Sequence, residues 1–125
     1  MNKNTVLTLL LFITACRATP DLREGLWTGT LTPMNHPEME NPINYEISYP
    51  SGSLSIDVIS PDSSIIPTRN VQFENDTLYF QFDEPEEQVT LNCALGRMEN
   101  LEGHFSGRCT DPNGQWAYFM MVPPE

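Results

Sequence analysis

Ile43-Asn44-Tyr45-Glu46-Ile47-Ser48-Tyr49, then Pro50-Ser51-Gly52-Ser53, then Leu54-Ser55-Ile56-Asp57-Val58 is the stretch whose reading decides the fold. Apolar and polar residues alternate on both sides of a turn-forming tetrapeptide. A period of two sends successive side chains to opposite faces of an extended strand. A loop centred on the turn sets Tyr49 opposite Leu54 and Ile47 opposite Ile56. Apolar meets apolar at both pairs, which is the condition for an antiparallel hairpin with one buried face.

The same pattern recurs along the chain every ten or so residues, with Gly, Pro, Asn, Asp and Ser between the runs. That spacing predicts an all-β barrel or sandwich. Residues 25–32 put Trp27, Gly29 and Leu31 on one face. Residues 65–73 form a broken strand, because Pro67 cannot donate to a central ladder. A two-residue turn at Asn75-Asp76 pairs Phe73 with Leu78 and Val71 with Phe80, with Leu78, Phe80 and Phe82 on one face. Val89, Leu91, Cys93 and Leu95 alternate on the next strand, and Phe105, Gly107 and Cys109 on the one after. Cys93 and Cys109 are equidistant from Leu101, so a hairpin turning near residues 98–102 sets them opposite each other as a cross-strand disulfide. Residues 116–122 are apolar on both faces. A four-residue turn before them sends Trp116, Tyr118 and Met120 inward, and a three-residue turn sends Ala117, Phe119 and Met121 inward. The expected architecture is an up-and-down antiparallel barrel of about eight strands, which leaves no sheet edge exposed. A two-sheet sandwich is the alternative.

The first residues carry a different signal. One lysine, Lys3, precedes an apolar run over residues 6–13 that only Thr8 interrupts. Such a run is too short to span a bilayer and fits the apolar region of a secretory signal. Ile13-Thr14-Ala15-Cys16 resembles the bacterial lipobox. That resemblance implies cleavage before Cys16, a diacylglycerol thioether on its sulfur and an acylated amine. The organisation expected is a signal peptide over 1–15, a lipidated tether over 16–24 and a β-barrel domain over 25–125. Two or three acyl chains on one residue anchor stably. The resemblance places the protein in the cell envelope, and Arg17 in place of an inner-membrane retention aspartate points to the outer membrane, facing the periplasm. An exported protein enters an oxidising compartment, where Cys93 and Cys109 pair.

Charge narrows the partners. The chain carries −11, and losing Lys3 with the signal takes it to −12, with no lysine left. Such a surface repels nucleic acid and anionic lipid headgroups, and either suits a cationic protein or simply serves solubility or a saline habitat.

Gly25-Leu26-Trp27 resembles the Gly-x-Trp of lipocalin-like proteins, and more specifically of small bacterial lipocalin-like lipoproteins. The long connection over residues 33–42 falls where lipocalins carry the loop over the barrel mouth. The chain departs from the pattern in lacking a C-terminal helix and an arginine on the last strand to stack on the tryptophan, a place Arg108 could fill from the neighbouring strand. The resemblance implies a fold more than an activity; the first function expected is that of a non-enzymatic, membrane-anchored lipoprotein that binds a small apolar ligand. Trp27, Tyr45, Phe80, Phe82, Phe105 and Phe119 then either line a cavity or simply fill the barrel. Met34, His36 and Met39 belong to an expected flap at its mouth. The alternative function is a protein-binding module of the envelope, such as an inhibitor of a cationic hydrolase like lysozyme. No nucleophile elbow, zinc helix or phosphate loop is present in the sequence, and neither a metal nor a cofactor is expected.

Overall fold

The computed structural model describes residues 22–125. Cys16 and the signal-like segment lie outside them. The described residues form strands and turns, with no helix among them. The strands are β1 (Gly25–Pro33), β2 (Asn41–Pro42), β3 (Asn44–Ser48), β4 (Ser55–Ile59), β5 (Ile65–Pro67), β6 (Arg69–Glu74), β7 (Thr77–Glu84), β8 (Val89–Arg97), β9 (Phe105–Thr110) and β10 (Trp116–Val122). All pair antiparallel in the order β5-β4-β3-β1-β10-β9-β8-β7-β6, with β2 also on β1. First and last strands pair with each other, so the sheet curls into a nearly closed up-and-down barrel.

Ten strand labels reduce to the eight expected runs for two local reasons. β2 and β3 continue one register along β1, from Leu31↔Asn41 and Thr30↔Pro42 to Trp27↔Tyr45. Pro42 has no N–H and interrupts the strand, while Ile43 N donates to Gly29 O at 3.1 Å and keeps the run attached. The broken run over 65–73 supplies both ends of the sheet. β5 pairs only with β4 and β6 only with β7, and one residue, Thr68, joins them. Its hydroxyl donates to Ile56 O at 2.7 Å, binding the junction back to β4.

The hairpin over 43–58 has the expected register, with Ile47 opposite Ile56 and Tyr45 opposite Val58. Phe73 faces Leu78 across Asn75 and Asp76, both at positive φ, as a two-residue type I′ turn requires. The pair Val71–Phe80 is not formed. The register shifts between Arg69 and Gln72, and Asn70 takes a φ of 56°, marking a bulge that inserts one residue. Cys93 and Cys109 are opposite each other and bonded, with Cα atoms 4.0 Å apart. Ala117, not Trp116, pairs with Cys109. The turn before β10 is therefore the three-residue one. Asp111 builds it by accepting from Asn113 N and Gln115 N through Oδ1, and Gly114 supplies the positive φ.

Inward side chains form one core from Trp27 to Met121, with Leu22 inside it at 3% exposure. The packed part thus begins before Gly25. Tyr49 donates to Leu22 O at 2.7 Å and ties that entry segment to the barrel. Two inward positions on β1 and β9 are glycines. A Cβ at Gly107 would stand 2.0 Å from Ala94 O, and one at Gly29 would stand 1.8 Å from Met120 O and 3.3 Å from the Tyr45 ring. The hydroxyl of Tyr45 donates to that same Met120 oxygen at 3.3 Å. On the outside, Arg69 forks onto Asp83 at 3.0 and 3.1 Å, and Thr90 donates to the same carboxylate at 2.8 Å. The hydrogen bonds from Arg69 and then Thr90 hold the Asp83 carboxyl below the ordinary aspartate range.

Two predictions follow from this packing. Gly29→Ala should lower stability in denaturant unfolding by roughly 2 kcal/mol or more, since a backbone oxygen must move. Tyr45→Phe should cost about 1 kcal/mol, the net contribution of one hydrogen bond. For Asp83, a depressed folded pKa means the stabilisation is complete above the unfolded value and is lost as pH falls through the folded one. A carboxyl-carbon NMR titration should give Asp83 a midpoint below that of the unfolded chain, and Thr90→Val should raise it.

Candidate functional site

The six aromatic side chains expected inside the barrel are all there. Trp27, Phe80, Phe105 and Phe119 are each 1% exposed, Phe82 3% and Tyr45 0%. They pack on one another. Ring centroids are 6.1 Å apart for Trp27–Phe105, 6.3 Å for Phe80–Phe82 and 6.2 Å for Phe82–Phe119. Tyr45 lies against Gly29, and burial pushes its phenol far above the ordinary tyrosine value, so it stays neutral. The disulfide adjoins these rings, since Cys93 pairs with Phe80 across β7 and β8. These contacts make the six side chains the filling of the barrel.

The loop over residues 34–40 is held in shape at its base. Met34 N donates to Trp116 O at 3.1 Å, and Trp116 N donates to Met34 Sδ at 3.3 Å. His36 N donates to Pro33 O and Met39 N to His36 O, at 3.1 and 2.9 Å. His36 Nδ1 lies 3.5 Å from Glu38 Oε2 in solvent. Met34 and Met39 remain exposed. These hydrogen bonds run within the loop and to the start of β10, where Met34 and Trp116 extend the β1–β10 ladder past Pro33 and Ala117.

Arg108 does not reach Trp27. Its guanidinium carbon lies 4.1 Å from the centre of the Trp116 ring, on the outer face. Two cations stand at the Trp27 end, Arg23 and Arg97, and Arg97 continues the inward alternation of Cys93 and Leu95. Its guanidinium carbon stands 5.0 Å from the centre of Phe105 and 6.0 Å from that of Phe73. Asp76 accepts from its Nε at 3.1 Å.

Register assembles an outer surface that no single strand displays. Tyr79, Ala94, Arg108 and Tyr118 lie side by side across β7 to β10. The flanking rows are Thr77, Gly96, Ser106 and Met120 on one side, and Gln81, Asn92, Thr110 and Trp116 on the other. None of these twelve positions is acidic, in a chain with 17 carboxylate side chains. Tyr79 and Tyr118 are each 39% exposed. Asp83 and Asp111 stand at the edge of this area, next to Gln81 on β7 and Thr110 on β9. An aromatic and arginine centre free of carboxylates, inside a polar rim, is the composition of protein-binding surfaces. Sequence alone could not find it, because the face of β10 depended on the turn before it.

Among the described residues no polar or charged side chain is buried, and no group of three or more His, Cys, Asp or Glu is placed to hold a metal ion.

No family model matches the chain, and no curated protein matches it. A solved structure of a redesigned β-barrel is similar to it, with a TM-score of 0.61 at 16% identity over 82% of this chain and 91% of that one. At that identity the likeness carries the fold alone, an all-β barrel.

An exposed cation–π pair contributes roughly 0.5–1 kcal/mol. Arg108→Ala should therefore lower stability by no more than about that amount, while shifting the emission of Trp116. Thermal unfolding and tryptophan fluorescence on the same sample read both.

Proposed function

We propose that this chain is a lipid-anchored, lipocalin-like protein of the bacterial envelope that works without catalysis, by binding a cationic protein on its outer face. The anchor rests on the lipobox-like Ile13-Thr14-Ala15-Cys16, and the lipocalin likeness on Gly25-Leu26-Trp27 with the up-and-down barrel. The single observation that carries the binding role is the carboxylate-free surface around Tyr79, Arg108, Trp116 and Tyr118. Tyr and Trp bring large contact area with few rotatable bonds, and Arg108 brings a planar donor already stacked on Trp116. The net charge of −11 steers a positive partner toward the barrel, and acidic residues around the patch meet its basic rim. A small apolar ligand inside the barrel has less support, because it would have to displace rings that pack on each other.

Two measurements test this. Cys16→Ser should abolish incorporation of labelled fatty acid; a variant that still carried acyl chains would end the anchor reading. A photo-crosslinking residue at position 118 should give a salt-sensitive protein adduct in intact envelopes, lost in Arg108→Glu. The same residue at position 57, on β4 across the barrel, should give none. Equal adducts from both positions, or none from either, would remove the outer-face reading.

A further inference from the structure

The β1–β10 ladder ends on a methionine sulfur. Antiparallel neighbours alternate between pairs that exchange two backbone hydrogen bonds and pairs that exchange none. Pro33, which has no N–H, faces Ala117, and the next pair is Met34 with Trp116. Met34 N donates to Trp116 O at 3.1 Å, as the pattern requires. The return bond differs: Trp116 N donates to Met34 Sδ, at 3.3 Å. A thioether is a weak acceptor, so the first N–H of β10 rests on a weak partner. Past this pair His36 N donates to Pro33 O, and the chain turns back on itself.

That sulfur is also open to chemistry. Of the five methionines among the described residues, Met34 and Met39 are exposed, Met98 and Met120 are half-buried and Met121 is fully buried. Hydrogen peroxide and related two-electron oxidants convert a thioether to a sulfoxide. The sulfur gives an electron pair to one peroxide oxygen, the O–O bond breaks, an S–O bond forms and the other oxygen leaves as water. Sulfoxide reductases reverse the step with two thiols, which become a disulfide while the oxygen leaves as water.

The place of the sulfur decides what the oxygen does. An oxygen on the side of Trp116 does not fit between two atoms 3.3 Å apart, so the side chain must swing away. An oxygen on the far side draws electron density from the sulfur and leaves it a poorer acceptor still. Either way the Trp116 N–H loses its hold on β1. The Trp116 ring, with the Arg108 guanidinium carbon 4.1 Å from its centre, then loses the anchor of its backbone.

We propose that Met34 is a site of reversible oxidation, and that its sulfoxide releases Trp116 from β1 and weakens docking on the outer face. The effect on docking rests on the outer-face reading above; the effect on Trp116 stands without it.

The test uses the full chain carrying Cys16→Ser, treated with hydrogen peroxide and then cleared of it. Peptide mass spectrometry should find an added oxygen at Met34 at least tenfold sooner than at Met121. The Trp116 backbone amide should then exchange with deuterium at least fivefold faster, and a methionine sulfoxide reductase with dithiothreitol should restore the first rate. In Met34→Leu, which has no sulfur to oxidise there, the same treatment should leave Trp116 exchange where it was, although Met39 still takes oxygen. An unchanged Trp116 amide in chain fully oxidised at Met34, or an equal change in Met34→Leu, would overturn the proposal. Docking is read by photo-crosslinking from position 118, with the treated chain added to envelopes. The adduct should fall at least threefold on oxidation and hold steady in Met34→Leu. An adduct indifferent to oxidation would remove the control of docking and leave the outer-face reading intact. No adduct from either form would remove the outer-face reading, and faster Trp116 exchange would still mark Met34 as the oxidation site.

Discussion

At Gly29 the first strand comes so close to the last that no side chain fits between them. A Cβ there would stand 1.8 Å from Met120 O. This close approach is where the barrel shuts, because β1 holds β10 along one side and β2 with β3 along the other. The space that Gly29 leaves is taken by the ring of Tyr45, whose hydroxyl needs a partner once it is buried. Met120 O is that partner, so one oxygen sets both the width of the gap and the position of the buried Tyr45 ring. Trp27, directly across from Tyr45, is in turn fixed against Phe105. The interior is therefore built outward from a glycine.

The opposite side of the barrel closes by other means. β5 and β6 are the two ends of the hydrogen-bonded sheet and are also neighbours in the chain, so the backbone itself bridges the gap. Pro67 and the bulge at Asn70 keep this run from pairing fully on both sides. Side chains replace the missing ladder. The Thr68 hydroxyl reaches Ile56 on β4, and the Arg69 guanidinium reaches Asp83 on β7. Phe73 on β6 also packs edge-on against Phe105, with ring centres 5.8 Å apart, and joins the seam to the core.

How much of this could be read in advance depended on the length of each turn. Hairpins with two-residue or well-centred turns were legible, because alternation fixes the register once the turn length is known. Ile47 against Ile56, Phe73 against Leu78 and Cys93 against Cys109 all follow that rule. β10 was not legible, because both of its faces are apolar and its direction hung on one residue of turn length. The Asp111 side chain settles that length by capping two backbone N–H groups, a tertiary-like detail inside a local turn. The bulge at Asn70 was likewise hidden, since asparagine at positive φ has no unique sequence mark. Arg97 could have been placed: it continues the alternation of Cys93 and Leu95, and a charge on the inward face near a strand end signals a cation stacked at a barrel mouth.

The roles of the arginines explain why the candidate docking face lies where it does. With no lysine among the described residues, every fixed side-chain cation there is one of four guanidinium groups. Each is used where a planar cation does something an ammonium cannot. Arg69 forks on a carboxylate at the seam. Arg97 caps the aromatic core at one end, and Arg23 lies at the same end. Arg108 covers an outward tryptophan amid residues that bear no negative charge. The carboxylates, by contrast, are spread over loops, strand ends and the middles of β3 and β4, where Glu46 lies opposite Asp57. A barrel whose inside is filled with rings has its remaining specificity on its surface. There the few positive points stand out against an acidic field: Arg97 over Phe105 at one end of the barrel, and Arg108 over Trp116 on the outer face that Tyr79 and Tyr118 cross.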